Sequence, residues 1–426
     1  MSLGKCLLPA LYVHFPFCRK RCIYCDFNTY GGRSEEERFF YWQALLEDIR
    51  DTAERLKNGG LCSNIGWWGR EVPPPCDVEV NVRADGCRSE LGGRVVPAPG
   101  LRTVYFGGGT PTLVPVSWLV ETLETVRANF GLTPRAEITL EANPGTLTLQ
   151  ALQVLRRAGF NRLSMGVQSL NEGMLRKLGR IHTAADVRRC FSWARQAGFT
   201  EINLDLIYGL PGQTVYVWRD TLKKILALEP EHLSCYALSV EEGTPLALAL
   251  KRGLMELPSE DEVEKMEICL RHYLRRHNFH HYEISNWAKP GFRSRHNGIY
   301  WKNLPYLGLG AGAVSYWRGW RFRRLDDPLD YARAVFENGN IYVEAEHLGE
   351  LARFRESVML GLRRRCGIDV ERLMRSFPPQ TRKFLSKYWQ VFLDSLPDSL
   401  IRVCGSRVRF TSRGRDLSSE IFLQLF

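Results

Sequence analysis

The sequence lacks several features that would place it in a specialised class. Its 426 residues contain no apolar run long enough for a membrane-spanning helix, which needs roughly 18 such residues. Its 12 cysteines are too sparse for a disulfide scaffold. Apolar residues make up 44% of the chain and charged residues 25%, ordinary values for a globular protein. Transmembrane, collagenous and wholly disordered classes are therefore excluded.

The chain also lacks a concentrated tract of basic residues. Lys and Arg outnumber Asp and Glu by 58 to 47, which favours anionic ligands, but the basic residues are scattered along the chain. Charge alone therefore does not indicate nucleic-acid binding. No targeting peptide is visible at the N-terminus, so we expect a cytoplasmic protein. An organelle address upstream of Met1 would instead place it in a mitochondrion or plastid.

Six short β-rich segments alternate with helix-like stretches, a pattern that predicts parallel βαβ units. Doubly wound sheets and barrels both use such units. Distinctive residues follow nearly every predicted strand, which favours a full or partial barrel with its chemistry at the carboxyl ends of the strands. The predicted strands are Leu11–Phe15, Thr103–Phe106, Glu137–Ala142, Arg162–Gln168, Glu201–Ile207 and His232–Ser239.

We divide the chain into three regions. Residues 1–240 form the predicted barrel, 241–340 an extension, and 341–426 a small helix-rich C-terminal domain with its own core. Within the barrel region, residues 57–100 have no helical or alternating period, and we interpret them as a flexible surface insertion. A helix is predicted over Ser259–His277, with an acidic first turn and a basic last turn.

Three cysteines lie close together directly after the first predicted strand, at Cys18, Cys22 and Cys25. Three thiolates on a tight loop suit an iron–sulfur cluster or zinc. Three ligands leave one iron of a [4Fe–4S] cluster open to a chelating small molecule. The alternative is a zinc site that adds His14, although structural zinc is typical of small ribbons and fingers.

The cysteine spacing Cys-x3-Cys-x-Tyr-Cys, with Gly107–Pro111 after the second strand, resembles the radical S-adenosylmethionine (SAM) superfamily. Further motifs resemble its HemN/HemW branch. The resemblance implies an α/β fold: a partial (β/α)6 radical-SAM barrel with a smaller C-terminal α+β or helical domain. These further motifs are Tyr12–Cys18, Glu141–Pro144, Gly166–Gln168, Leu178–His182, Asp205–Pro211, Tyr282–Ser285 and His296–Trp301.

The resemblance also implies cofactors and their ligands. The three cysteines would hold a [4Fe–4S] cluster, whose open iron chelates SAM and which needs an electron donor. The glycines would let the backbone approach SAM closely, Arg180 would pair with its carboxylate, and Glu141 and Asp205 would accept from its ribose hydroxyls or ammonium group. The full predicted SAM pocket is Tyr12, Tyr24, Gly108, Gly109, Thr110, Glu141, Gln168, Arg180, Asp205 and Ala237.

Two chemistries occur in this branch. HemN-type enzymes decarboxylate coproporphyrinogen III and carry a fourth cysteine two places after the third, whereas Phe27 stands there in this chain. HemW-type proteins are haem chaperones, which bind haem and pass it to apoproteins. Phe27 and the short segment before Cys18 favour the chaperone and argue against decarboxylation. An RNA-modifying radical SAM enzyme is a further alternative. The sequence shows no recognisable RNA-binding module, so nucleic acid is not a favoured partner.

The segment His296–Trp301 resembles the His-Asn-x-x-Tyr-Trp signature of the HemW group. His296 is therefore a predicted haem ligand, with Tyr300 and Trp301 stacking on the macrocycle. The alternative is a packed loop without a ligand role. Many relatives have a histidine near Val314, and its absence here counts against a haem mode that needs it. The sequence does not decide whether SAM is cleaved, or whether the chain is a monomer or a homodimer.

Overall fold

The computed structural model describes residues 8–58 and 100–425 of the chain. The predicted insertion 57–100 therefore lies outside the described residues, apart from its ends. None of the helices in the described ranges combines the length and apolar character needed to span a bilayer.

The strands of the described residues follow one another along the chain with helices between most of them. In chain order they are β1 (Ala10–Phe15), β2 (Phe17–Cys18), β3 (Tyr30–Gly31), β4 (Leu101–Gly108), β5 (Leu132–Ala142), β6 (Arg162–Gln168), β7 (Glu201–Tyr208), β8 (His232–Ala237), β9 (His280–His281), β10 (Asn286–Ala288), β11 (Tyr306–Leu309), β12 (Val314–Trp317), β13 (Trp320–Arg324), β14 (Tyr342–His347), β15 (Ile368–Asp369), β16 (Ile401–Cys404) and β17 (Arg407–Phe410).

The helices of the same ranges are α1 (Glu35–Lys57), α2 (Val116–Phe130), α3 (Leu149–Ala158), α4 (Glu172–Lys177), α5 (Ala184–Gln196), α6 (Val215–Leu226), α7 (Pro245–Lys251), α8 (Glu260–Arg276), α9 (Arg295–Tyr300), α10 (Pro328–Phe336), α11 (Glu350–Leu362), α12 (Val370–Arg375), α13 (Pro379–Asp394), α14 (Ser412–Asp416) and α15 (Ser418–Leu423).

The large sheet has the strand order of a singly wound barrel. Strands β1, β4, β5, β6, β7 and β8 are parallel, and each pairs with the next in chain order. A doubly wound sheet would reverse this order at a switch point. Among the described strands, β14 lies at one edge of this sheet and β9 at the other. The predicted partial barrel of six parallel strands is confirmed.

The helices cover the parallel strands with apolar faces, and their ends carry the expected caps. In α3 the Thr148 hydroxyl accepts from the Ala151 N–H, and Gly159 ends the helix with φ +116°. In α8 the Ser259 hydroxyl accepts from the Glu262 N–H, confirming the predicted helix. Helices such as these bury the strand residues in one continuous apolar core.

The large sheet continues beyond the six predicted strands. Strand β11 pairs with β1 in parallel, and β12, β13 and β14 follow in antiparallel pairs. A buried ion pair joins Arg324 of β13 to Asp48 of α1, with its Nε 2.8 Å from the carboxylate. The Tyr331 hydroxyl of α10 donates to the same carboxylate at 2.6 Å. This buried polar cluster attaches the extension to the barrel.

A second, separate apolar cluster begins at Phe354 and lies between the C-terminal helices and the small antiparallel sheet β15–β17–β16. The sequence-based boundary at residue 341 falls just before β14, which pairs with β13 of the large sheet. The division of the chain into three domains stays a prediction.

Candidate cofactor site at the strand ends

The three cysteines lie on an irregular loop directly after β1, and all three are half-buried. Cys18 ends the short strand β2, and the Cys25 N–H donates to the Cys22 carbonyl at 3.2 Å. The Arg21 guanidinium donates to the carbonyls of Cys25 at 2.9 Å and Phe27 at 3.3 Å. These bonds shape the loop through its backbone and leave the thiols available.

Two polar side chains from the segments that follow β4 and α4 reach the thiols. The Thr110 hydroxyl lies 3.8 Å from Cys18 Sγ, and Arg180 Nη1 lies 3.5 Å from Cys22 Sγ. Burial raises the pKa of the Cys18 thiol, and the bond to Thr110 opposes that rise. A cationic guanidinium beside a sulfur stabilises the thiolate, which is the form that binds metal. The loop is thus placed against the carboxyl ends of the barrel strands.

Arg180 also crosses the strand ends. Its Nη2 donates to the Asn143 amide oxygen and to the Gly166 carbonyl. Asn143 in turn donates to the Thr110 hydroxyl at 2.7 Å. A narrow cleft beside Cys22 is lined by Thr110, Asn143 and Arg180. Three predicted site residues, Cys22, Thr110 and Arg180, therefore meet at one place.

The donor set fits an iron–sulfur cluster better than the zinc alternative. The His14 imidazole, which that alternative requires, is bonded at both nitrogens: Nδ1 to the Tyr12 hydroxyl at 2.9 Å and Nε2 to the Asn28 carbonyl at 3.0 Å. Burial lowers the pKa of His14 to about 4. Among the described residues, no group of three or more His, Cys, Asp or Glu side chains is arranged to hold a single metal ion. Three soft thiols without His14 suit a cluster.

Glycine is needed after β4 for packing within the chain itself. Gly108 has φ +115°, and a Cβ there would lie 2.7 Å from the His14 ring. A Cβ on Gly109 would lie 2.6 Å from the Phe17 carbonyl oxygen. Substitution at either position would push the glycine segment away from the start of the cysteine loop. The expected close approach of SAM to these glycines stays a prediction.

Glu141 lies at the end of β5 and is enclosed by donors. The Tyr105 hydroxyl donates to its Oε1 at 2.6 Å, and the Gly108 N–H donates to its Oε2 at 3.1 Å. Burial raises the pKa of Glu141 to about 7, and the nearby Asp205 adds to the rise. This carboxyl is therefore poised to change its charge near neutral pH.

Asp205 lies on the neighbouring part of the barrel, in β7, and both of its oxygens accept hydrogen bonds. Asn203 Nδ2 donates to Oδ1 at 2.7 Å, and the Ser164 hydroxyl donates to Oδ2 at 3.3 Å. Burial raises the pKa of Asp205, against the effect of its hydrogen-bond donors. The orientation of this carboxylate is thus fixed by its neighbours.

The other predicted pocket residues lie at the same ends of the strands. Gln168 ends β6 in the left-handed region at φ +65°, next to a register shift. Ala237 ends β8 and is exposed. Tyr12 stacks on Tyr105 with ring centroids 6.0 Å apart, and the half-buried Tyr24 packs against the small cluster around Leu178. No ligand contact tests these assignments, so each stays a prediction.

His296 is enclosed by the protein. Its Nδ1 lies 2.8 Å from the Thr103 hydroxyl and its Nε2 lies 2.9 Å from the Tyr300 hydroxyl. The ring is 1% exposed and stacks on Tyr105, and burial lowers the pKa of His296 to about 3. Both nitrogens are therefore already used, as in the packed-loop alternative, and ligation of haem iron would require one of these bonds to break.

Sequence reasoning missed several residues of this site. Asn143 bridges Thr110 and Arg180, Tyr105 holds Glu141, and Asn203 and His232 lie behind Asp205. Strand alternation could have identified Asn203, because Asn203 and Asp205 are two residues apart on β7 and so face the same side of the sheet.

Comparison with known proteins agrees with the fold. Residues 92–225 match the model of the radical SAM superfamily. The structure of coproporphyrinogen III oxidase (HemN) from Escherichia coli, a radical SAM enzyme, matches with a TM-score of 0.77 and 23% identity, covering 100% of this chain and 91% of that one. The fold of this chain is thus that of the Escherichia coli enzyme.

Similarity to proteins of known sequence identifies the family of this chain. The chain is 36% identical over 376 residues to the heme chaperone HemW of Synechocystis, covering 88% of this chain and 82% of the relative. It is 31% identical over 418 residues to that of Bacillus subtilis, covering 97% and 98%. Mouse radical S-adenosyl methionine domain-containing protein 1, mitochondrial, is 32% identical over 392 residues, covering 90% and 78%. The chain belongs to the HemW family.

Proposed function

We propose that this protein is a haem chaperone that binds haem and transfers it to apoproteins. The observation that carries this proposal is its similarity, over 97% of its length, to a bacterial protein named heme chaperone HemW. Phe27 supports the same conclusion, because HemN-type oxidases carry a cysteine at the corresponding place.

The cofactors follow from the family, which implies a [4Fe–4S] cluster and SAM. We assign the cluster to Cys18, Cys22 and Cys25. When bound, the cluster would supply an electron and an open iron for the amino-acid end of SAM. Arg180 Nη1 lies 3.5 Å from Cys22 Sγ, and the cleft lined by Thr110 and Asn143 offers polar groups to that end of SAM.

The two carboxylates lie on the parallel strands β5 and β7. Glu141 and Asp205 are both half-buried acceptors, and their charges suit the hydroxyls and the cationic groups of SAM. Because the pKa of Glu141 is about 7, its acceptor strength depends on pH within the physiological range.

His296 is the candidate haem ligand of this proposal. Haem ligation through His296 would first require the imidazole to release Thr103 or Tyr300. We therefore retain His296 as a candidate ligand that needs a rearrangement. Haem binding itself does not depend on this residue, since another side chain can serve as the axial ligand.

The proposed partners are haem-accepting apoproteins and an electron donor for the cluster, and a second copy of the chain is a further candidate. We also propose a reducing compartment, the cytoplasm or an organelle interior. Free thiols at Cys18, Cys22 and Cys25 support this, because oxidation would remove the cluster ligands.

One experiment separates the chaperone from the oxidase, whose fold this chain shares. The chain is reconstituted anaerobically with iron and sulfide, then titrated with haem and, separately, incubated with coproporphyrinogen III, SAM and a reductant. We expect saturable haem binding, transfer of haem to an apoprotein such as apomyoglobin, and no decarboxylation. Porphyrinogen turnover without haem uptake would contradict the proposal and favour the oxidase.

A further inference from the structure

A chain of polar side chains extends from the half-buried Asp205 to Tyr282 and Ser294 of the extension. Behind Asp205, Asn203 Oδ1 lies 2.6 Å from His232 Nδ1, and His232 Nε2 lies 2.7 Å from the Tyr282 hydroxyl. The Ser294 N–H donates to that hydroxyl at 3.4 Å. His232 and Asn203 are 1% and 4% exposed, so water does not compete for these bonds.

The hydrogen-bond partners determine the direction of every bond. The Asn203 amide group donates both of its protons, to Asp205 Oδ1 at 2.7 Å and to Ser164 Oγ at 2.8 Å. Its oxygen must then accept, and it does so from His232 Nδ1 and from the Ser234 hydroxyl at 3.2 Å. His232 therefore carries its proton on Nδ1.

The remaining bonds agree with this assignment. Burial lowers the pKa of His232 well below its ordinary value, so the ring is neutral and Nε2 is an acceptor. Tyr282 then donates its hydroxyl proton to Nε2 and accepts from the Ser294 N–H. Each donor in the chain thus points towards Asp205, which has no proton donor of its own when ionised.

We propose that His232 is a positioning residue for Asp205, acting through Asn203. A donor at His232 Nδ1 holds the Asn203 amide with its oxygen turned away from Asp205 and its nitrogen towards it. Without that donor, the amide oxygen keeps only the bond from the Ser234 hydroxyl at 3.2 Å, so the Asn203 amide is held less firmly against Asp205. This inference rests on the proposed SAM pocket, in which Asp205 accepts from the ligand.

Fixing the carboxylate has a consequence for ligand recognition. Asn203, Ser164 and Ser234 bond to the carboxylate from within the chain, and the lone pairs that remain are left for a ligand. Two hydroxyls of a ribose, or one hydroxyl and water, suit such an acceptor. Loss of the donor at His232 should therefore weaken SAM binding. It should also reduce the preference for a ligand that carries both ribose hydroxyls.

Two substitutions at His232 separate positioning from packing. His232→Asn keeps a donor close to the place of Nδ1, whereas His232→Leu removes it but retains an apolar group of substantial volume. Tyr282→Phe is a matched control, since it removes the bond at Nε2 without touching the bond to Asn203. Asp205→Asn gives the reference for loss of the carboxylate.

The test uses the full-length, anaerobically reconstituted protein with equal iron content in each variant. Dissociation constants are measured for SAM and for its 3′-deoxyribose analogue. We expect His232→Leu to weaken SAM binding about tenfold and to reduce the preference for SAM over the analogue, and His232→Asn and Tyr282→Phe to stay within about threefold of wild type.

Two outcomes would overturn the inference. Equal losses for SAM and the analogue in both His232 variants would show a packing role alone. Normal SAM affinity in His232→Leu, with a clear loss in Asp205→Asn, would overturn the positioning role while leaving the pocket intact. If Asp205→Asn also bound SAM normally, both the positioning role and the proposed pocket would be wrong.

Discussion

The candidate site has two halves that are built differently. On the cysteine side, three half-buried thiols lie on an irregular loop, and the surrounding side chains contact them at 3.5 Å and 3.8 Å. On the carboxylate side, Glu141 and Asp205 are held on strands by hydrogen bonds as short as 2.6 Å and 2.7 Å. The comparison indicates that the carboxylate half is organised by hydrogen bonds of the fold, whereas the thiols have few partners within the chain.

The largest effect is expected on the cysteine side. Replacing Cys18, Cys22 or Cys25 by Ser should abolish the cluster, measured as iron, labile sulfide and visible absorbance, because each removes one of only three soft ligands. Thermal stability of the metal-free protein should change little, since the thiols have few internal partners. Cys404→Ser, at an exposed cysteine, is the control and should retain full iron content. Normal iron in all three variants would disprove the ligand assignment.

A substitution on the carboxylate side should lower folding stability and leave the cluster in place. Asn203→Ala removes the donor to Asp205 Oδ1, the acceptor of His232 Nδ1 and one of the bonds of Ser164 Oγ, at a cost of about 2–3 kcal/mol of folding stability. We expect a lower melting temperature and weaker SAM binding with the cluster retained. Gln390→Ala on the exposed surface of α13 is the matched control. An unchanged melting temperature would contradict the buried network.

The ionisation of Glu141 makes the carboxylate side depend on pH. Its pKa is raised to about 7, so the folded chain holds this proton more tightly than the unfolded chain does. Its contribution to stability is therefore complete below the ordinary Glu pKa of about 4.3 and is lost as pH rises through about 7.

The same ionisation should affect the ligand in the opposite direction. As pH rises from about 6 to about 8, Glu141 becomes an anionic acceptor, and SAM affinity should increase severalfold. The expected profile is flatter in Glu141→Gln, measured by SAM titration of the reconstituted protein. An identical pH profile in wild type and Glu141→Gln would show that another group titrates.

The smallest effect is expected where the two halves meet. Thr110→Val removes the hydroxyl that lies 3.8 Å from Cys18 and accepts from Asn143 at 2.7 Å. We expect the cluster to remain and stability to fall by about 1 kcal/mol, measured by thermal unfolding. Thr125→Val on α2 removes a hydroxyl that donates to a helical carbonyl, and serves as the control. Loss of the cluster in Thr110→Val would instead make Thr110 essential to the cysteine side.

Local patterns allowed the strands and several helix ends to be predicted. The run Arg162–Gln168 is a strand with those same bounds, and Gly159 caps α3, because alternation, periodicity and glycine conformation are properties of short segments. The antiparallel addition of β12, β13 and β14 was not predicted. Its attachment depends on Asp48 and Arg324, which are far apart in sequence.

The site was predictable to a similar degree. The cysteine spacing marked one half directly, and strand ends marked Glu141 and Asp205. The partners of these carboxylates come from other strands, as His232 of β8 does for Asn203 of β7, and pairing between strands is not encoded in a local pattern. The burial of His296 was likewise invisible, because its partner Thr103 lies on β4.

The most direct test is electron paramagnetic resonance of the anaerobically reconstituted and chemically reduced protein, recorded before and after SAM is added. We predict the signal of a reduced [4Fe–4S] cluster whose spectrum changes when SAM binds the open iron, and no such signal in the cysteine variants. A preparation that contains zinc without labile sulfide, or a cluster spectrum that SAM leaves unaltered, would contradict the proposed site.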